Sequence, residues 1–205
     1  MNEPLQRLKA ATADLHVEAE RHVRILDADA TDATYARYLS RMFGFHAPLE
    51  LAFARHAVLE ATGFSAARRA KRGWIAQDLA ALGVDVSPPL CADVPLLGNV
   101  RRAIGVAYVI EGSTLGGRFV LTKMKPRFAH LMGRATRFLE GYRDDTGLRW
   151  KQFAAIAEHV LYDDIAVAAA IAGARETFER LTVWLDEPAM EPPHPRQIAR
   201  RIATT

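Results

Sequence analysis

The chain has 205 residues, 50% of them apolar and 25% charged, with 27 basic against 24 acidic side chains for a formal charge of +3. These proportions exclude intrinsic disorder as the global state, and the length is enough to bury a sizeable core without staples. The slight basic excess suits a small anionic ligand and does not call for nucleic acid. A lone cysteine, Cys91, excludes an intrachain disulfide and a multi-thiolate metal site. The longest apolar stretches, such as Ile165 to Gly173, are short and rich in alanine, well under the roughly 20 residues of a membrane span. The N-terminal Met1-Asn2-Glu3-Pro4 enters a polar helical pattern directly, with no basic-then-apolar export signal. The expected compartment is therefore the cytoplasm, with no membrane contact.

Almost every periodic segment repeats at helical spacing, and no β-branched run alternates with polar residues, so the expected fold class is all-α. A first helix is expected from Pro4 to Ile25, burying Leu5, Leu8, Leu15 and Ala19. After a loop over Asp27 to Asp32, Thr31 or Asp32 can cap a long second helix carrying Tyr35, Tyr38, Leu39, Met42, Phe43 and His46, which Pro48 should kink. A third helix spans Ser65 to Leu82 with Trp74 and Leu79 inward. Its basic run, Arg68, Arg69, Lys71 and Arg72, has no interleaved aromatics and reads as a solvated helix face. Gly83 to Pro95 is the main irregular connection and contains Cys91 among prolines.

The fourth helix, Leu97 to Met132, is expected to be interrupted at Gly112-Ser113-Thr114-Leu115-Gly116-Gly117, since each interior glycine costs about 1 kcal/mol relative to alanine. A short amphipathic piece with Phe138 and Leu139 follows, then helices around Trp150 to Leu161 and Asp164 to Leu185. With no repeat and no linker, the chain reads as one helical domain over 1–187 and a proline-containing tail over 188–205.

Two features carry chemistry. In Lys9 to Glu20, His16 and Glu20 are four apart and share a helix face, an arrangement that suits a metal-binding imidazole whose second nitrogen donates to a carboxylate. Lys9 lies two turns earlier on the same face, roughly 10.5 Å away, within reach of a carboxylate on a large flat ligand. The same spacing also describes an exposed histidine in an ordinary ion-pair pattern. In the second feature, Gly112 and Gly116 are likewise four apart and let another surface approach the helix backbone. That surface is either a neighbouring helix or a planar ligand. A phosphate loop fits poorly because a helix, not a strand, precedes the glycines. The remaining histidines, His22, His46, His56, His130 and His159, show no zinc spacing and read as helix-surface or half-buried residues.

Together the two features resemble the haem oxygenases, specifically the bacterial branch associated with bacteriophytochromes. Leu8-Lys9-Ala10-Ala11-Thr12 followed by His16 and Glu20 resembles the proximal-helix motif of that family. Glu111-Gly112-Ser113-Thr114-Leu115-Gly116-Gly117 resembles its distal-helix motif, and Tyr35 to Leu49 and Phe178-Glu179-Arg180-Leu181 extend the likeness over most of the chain.

The resemblance implies haem b, as substrate and cofactor, held between the first helix and a kinked Gly-rich helix. His16 would be the proximal iron ligand, Glu20 its orienting partner, and Lys9 a propionate contact, with Arg118, Lys123, Arg143 and Arg149 as further candidates. Gly112, Gly116 and Gly117 would lie over the distal face and leave room for O2, with Gly112, Ser113 and Gly116 serving catalysis. The products would be biliverdin, carbon monoxide and ferrous iron, as expected where the cofactor carries the hard chemistry and the protein orients it. Electrons would come from a ferredoxin, a flavodoxin or an NAD(P)H-dependent reductase, and a bacteriophytochrome is a possible biliverdin acceptor. The sequence departs from the animal-type members at Ser113, where they carry an aspartate; a hydroxyl donates and accepts but supplies no anion. The alternatives are a haem-sequestering protein without turnover and a haem-free metabolite-binding relative of the same fold.

Overall fold

The computed structural model describes residues 2–84 and 88–186. The proline-containing tail over 188–205 lies outside the described residues, as does the centre of the connection after Gly83. Among the described residues every regular element is helical. The α-helices are α1 (Glu3–Ala11), α2 (Ala13–Arg21), α3 (Asp32–Ala54), α4 (Ala57–Ala61), α5 (Ala66–Arg69), α6 (Arg72–Ala81), α7 (Val100–Met124), α8 (Arg137–Glu140), α9 (Thr146–Val160) and α10 (Asp164–Asp186).

Three expected helices are broken or shortened. The first divides at Thr12, whose backbone leaves helical geometry and whose buried hydroxyl donates to the Leu8 carbonyl at 2.8 Å. Such a bond competes with the helical ladder. A single 3₁₀ turn, Arg24–Leu26, takes the place of its last part. The third expected helix divides between α5 and α6 because Ala70 is extended, which turns Arg69 and Lys71 inward. The fourth begins only after Asn99, whose side chain accepts from the Arg102 N–H at 3.0 Å, and it ends at Met124. The glycine cluster does not interrupt it: α7 is helical throughout.

Thr31 caps α3 as the spacing suggests, forming a reciprocal box with Thr34. Pro48 lies inside α3 and has no N–H, so the Gly44 carbonyl loses its helical donor. The Cys91 N–H supplies a replacement at 3.0 Å. Gly44 permits this approach, since a Cβ there would lie 2.3 Å from the Pro89 carbonyl oxygen and 2.7 Å from the Trp184 ring. The Trp184 indole in turn donates to the Arg41 carbonyl at 2.7 Å, tying α10 to α3.

The core is centred on α7 crossing α10. A Cβ on Gly105 would fall 1.8 Å from the Ala170 carbonyl oxygen, and one on Gly173 would fall 2.4 Å from that of Arg102. The two backbones are therefore in direct contact, and Ile104, Ala107, Phe153, Ala166 and Ala174 fill the space around them with no more than 1% exposure. A second cluster, built on Tyr35, Leu39, Ile75, Leu79 and Phe128, joins α3 and α6 to the segment before α8. There the buried Tyr35 hydroxyl donates to the Ala135 carbonyl at 2.8 Å. Asp78 of α6 accepts from the Arg137 and Phe138 N–H groups, both at 2.8 Å, and so caps α8 from a different helix.

Replacing Gly105 with alanine must force the two helices apart. The expected loss is at least about 2 kcal/mol, read as a lower urea midpoint. Gly73→Ala is the contrasting case, because its Cβ would meet nothing within 4 Å; a gain of up to about 1 kcal/mol is expected.

Candidate functional site

The Lys9 to Glu20 segment lies across the α1–α2 break. α1 and α2 both pack on α10, which also supports α7. Arg175 of α10 donates to the Ala11 carbonyl at 2.6 Å and pairs with Asp14. Tyr108 of α7 neighbours the Thr12 side chain, so the glycine-bearing helix comes close to the break. His16 is 57% exposed, its ring set edge-on against Phe178 of α10 at 5.7 Å. Its Nδ1 faces the Glu20 carboxylate at 3.6 Å, in ion-pair range and beyond a hydrogen bond. This geometry turns Nδ1 toward Glu20 and leaves Nε2 as the nitrogen available to another ligand. Lys9 is exposed on the last turn of α1.

On α7, positions 112, 115, 116 and 119 share one face by helical spacing. Leu115 is 41% and Phe119 60% exposed, a Cβ on Gly116 would meet nothing within 4 Å, and one on Gly112 would reach only Trp150 at 3.9 Å. The result is an open, apolar stripe interrupted by two side-chain-free positions. Gly117 points elsewhere: a Cβ there would lie 3.1 Å from the Leu139 carbonyl oxygen of α8, so packing accounts for it. Ser113 is exposed, and its hydroxyl donates back to the Ile110 carbonyl at 2.8 Å. Among the further cations, Lys123 sits over Phe119, Arg149 over Tyr142, and Arg143 pairs with Glu140 at 2.9 Å.

The basic run corrects the sequence expectation. Arg69 is 7% exposed and Lys71 is fully buried; both converge on Glu111, itself 2% exposed. Arg69 pairs with one Glu111 oxygen and Lys71 Nζ donates to the other at 2.6 Å. The Tyr142 hydroxyl donates to the same carboxylate at 3.1 Å. Only Arg68 and Arg72 behave as a solvated face. Burial works to raise the Glu111 pKa, but the Lys71 and Arg69 charges outweigh it and hold the carboxyl below its ordinary value.

A second buried carboxylate adjoins this cluster. Glu50 accepts from the Lys71 and Arg72 N–H groups at 2.6 and 3.0 Å. It also faces His46 Nδ1 at 3.5 Å. His46 was expected to be half-buried or at the surface; it is wholly enclosed, with no hydrogen-bond partner for either ring nitrogen among the described residues. Burial holds its imidazole below the ordinary value and therefore neutral. The sequence did contain one signal for this network. Glu111 follows the buried Ala107 and Ile110 and precedes the buried Thr114, so an acid stands on the inward stripe of α7 and requires cations opposite it.

The family described as "Heme oxygenase" matches residues 3–187. A heme oxygenase of Xanthomonas campestris pv. campestris (strain 8004) is 35% identical over 158 residues, covering 75% of this chain and 87% of that protein. Among solved structures, the NO- and CO-bound heme oxygenase of Neisseria meningitidis superposes with a TM-score of 0.74 and 26% identity, covering 95% of this chain and 100% of that one. The family match and the relative make this chain a haem-degrading oxygenase, and it belongs to the haem oxygenase family. No helix among the described residues is long and apolar enough to cross a membrane.

The buried groups dictate a two-stage response of apoprotein stability to acid. The unfolded His46 takes up a proton near pH 6.5 while the folded one resists it, so stability declines as pH falls below about 6.5. Glu50 and Glu111 have depressed folded pKa values; their contribution is whole above about pH 4.5 and is lost as pH falls through those folded values. Melting temperatures measured from pH 7.5 downward should show both stages, and His46→Gln should remove the upper one alone.

Proposed function

We propose that His16 ligates haem iron through Nε2 and that the α7 stripe at Gly112 and Gly116 receives the distal face of the macrocycle. The chemistry of the donors supports this reading. One exposed imidazole has a carboxylate at its other nitrogen, as metal-bound histidines require. The α7 face offers apolar surface and two positions where a flat ligand can approach backbone. The single observation that carries the proposal is this pairing of an exposed, oriented histidine with an open glycine stripe on helices braced by the same α10.

Haem supplies the oxygen-activating chemistry with O2 and is itself the molecule cut at a meso carbon, releasing biliverdin, carbon monoxide and iron. The chain's residues bind and orient it. Glu20 orients the His16 ring by its carboxylate at Nδ1. Lys9 pairs with a propionate. Gly112 and Gly116 keep the distal side free of side chains, and the Ser113 hydroxyl, bonded to Ile110 through its hydrogen, retains lone pairs for accepting from water. A small ferredoxin, a flavodoxin or an NAD(P)H-dependent reductase delivers electrons in the cytoplasm, and a bacteriophytochrome is a suitable acceptor of the biliverdin.

The test is a haemin titration followed by reductant in air. Equimolar uptake, loss of the Soret band and growth of a bilin absorbance are expected; a retained Soret band identifies a haem carrier instead. His16→Ala should abolish the histidine-ligated spectrum, and an unchanged spectrum overturns its assignment. Gly116 separates folding from function. Gly116→Ala should stabilise the apoprotein by up to about 1 kcal/mol, because its Cβ meets open space. Gly116→Leu should exclude haemin, and normal turnover in that variant would refute the ligand role of the stripe.

A further inference from the structure

The charge cluster behind the glycine stripe holds no ligand in the reading above, yet it grips α7 one residue before Gly112. We propose that Glu111 is a positioning residue: its carboxylate, clamped by Arg69, Lys71 and Tyr142, fixes the rotation of α7 and thereby the direction in which the Gly112–Gly116 stripe faces haem. This inference rests on the haem reading of that stripe.

The front of α7 has little to hold it, since a Cβ on Gly116 would meet nothing within 4 Å and Leu115 and Phe119 are open to solvent. Its orientation must be set from the back. Glu111 is about 100° of helix rotation from Gly112. Thr114 packs on Gly141, and Gly117 on the Leu139 backbone. Of these contacts only those of Glu111 are charge-assisted and directional.

The cations cannot follow a displaced carboxylate. The Arg69 guanidinium lies against the rings of Phe64 and Phe153, at 5.0 and 5.9 Å. Lys71 is tied through its own N–H to Glu50 at 2.6 Å and through Nζ to the Arg69 carbonyl at 3.0 Å. At a side-chain radius of about 5 Å, turning α7 by about 20° moves the Glu111 carboxylate by nearly 2 Å, roughly the margin between a bond and none. The clamp therefore acts on the stripe as a rotational stop, and it determines which edge of the macrocycle lies under the open positions.

The test compares wild type, Glu111→Gln and Tyr142→Phe, each loaded with haemin. Four quantities are followed: haemin affinity, the C–O stretch of the ferrous carbon monoxide complex, the biliverdin isomer ratio, and turnover. In Glu111→Gln, haemin affinity should stay within about threefold, because His16 is untouched, while turnover falls on the order of tenfold as the reacting geometry is misplaced. The C–O stretch should shift or broaden and the isomer ratio should change. Tyr142→Phe keeps both ion pairs and should move the same readouts in the same direction by less. If Glu111→Gln fails to fold, Tyr142→Phe decides the matter by those readouts.

A variant that is less stable but shows the wild-type stretch and isomer ratio would reduce Glu111 to a structural role and overturn the proposal. If the wild type itself takes up no haemin, the haem reading fails separately. Hydrogen exchange at amides 112–117 of the Glu111→Gln apoprotein, expected to speed up on the order of tenfold, then shows whether the clamp fixes this helix.

Discussion

The contact of α7 and α10 at backbone distance governs the rest of the structure. Gly105 and Gly173 remove the side chains that would separate the two helices, so the carbonyls of Ala170 and Arg102 lie where Cβ atoms would otherwise be. Everything that addresses the site is referenced to this crossing. α10 backs His16 with Phe178, holds the Ala11 carbonyl through Arg175, and reaches α3 through Trp184. α7 carries the glycine stripe. The histidine and the stripe thus share one rigid support, and neither depends on a loop for its position.

The two faces of α7 carry opposite costs. Its front gives up helix propensity at two glycines, about 2 kcal/mol in all. Its back buries a carboxylate and two cations whose desolvation the ion pairs and the Tyr142 hydroxyl offset. Removing the Glu111 carboxylate would strand the two cations opposite it, typically at about 3–5 kcal/mol. α6 reinforces the same wall by a second route, since Asp78 caps α8 and α8 presents Leu139 to Gly117. A helix that is weak on one side is therefore held by strong, geometrically demanding contacts on the other.

Much of this was legible in the sequence, and the reasons differ by element. The class of fold follows from helical periodicity, and the starts of α3 and α10 follow from Thr31 and from Asp163, which accepts from the Ala166 N–H at 2.6 Å. The pairing of His16 with Glu20 needs only the helical repeat. The breaks at Thr12 and Ala70 were hidden because each is accompanied by tertiary contacts that no window of sequence contains, from Arg175 to the Ala11 carbonyl and from Arg69 and Lys71 to Glu111. For the same reason Arg69 and Lys71 read as solvated: their carboxylate lies about 40 residues away, at separations of 42 and 40. The packing role first considered for Gly112 and Gly116 is filled instead by Gly105, Gly173 and Gly117, because periodicity marks small residues without saying which face another helix will choose.

The Pro48–Gly44–Cys91 arrangement has a practical side. The bond that repairs the proline gap comes from the main chain of residue 91, so it is indifferent to the side chain there. The thiol is buried, at 6% exposure. A small replacement such as alanine would keep the docking of this segment on α3 and yield a thiol-free scaffold. A single cysteine introduced at an exposed position of α7, Ser113 for instance, would then be the sole attachment point for a spin label or fluorophore, giving a direct optical or magnetic view of the stripe as ligand arrives.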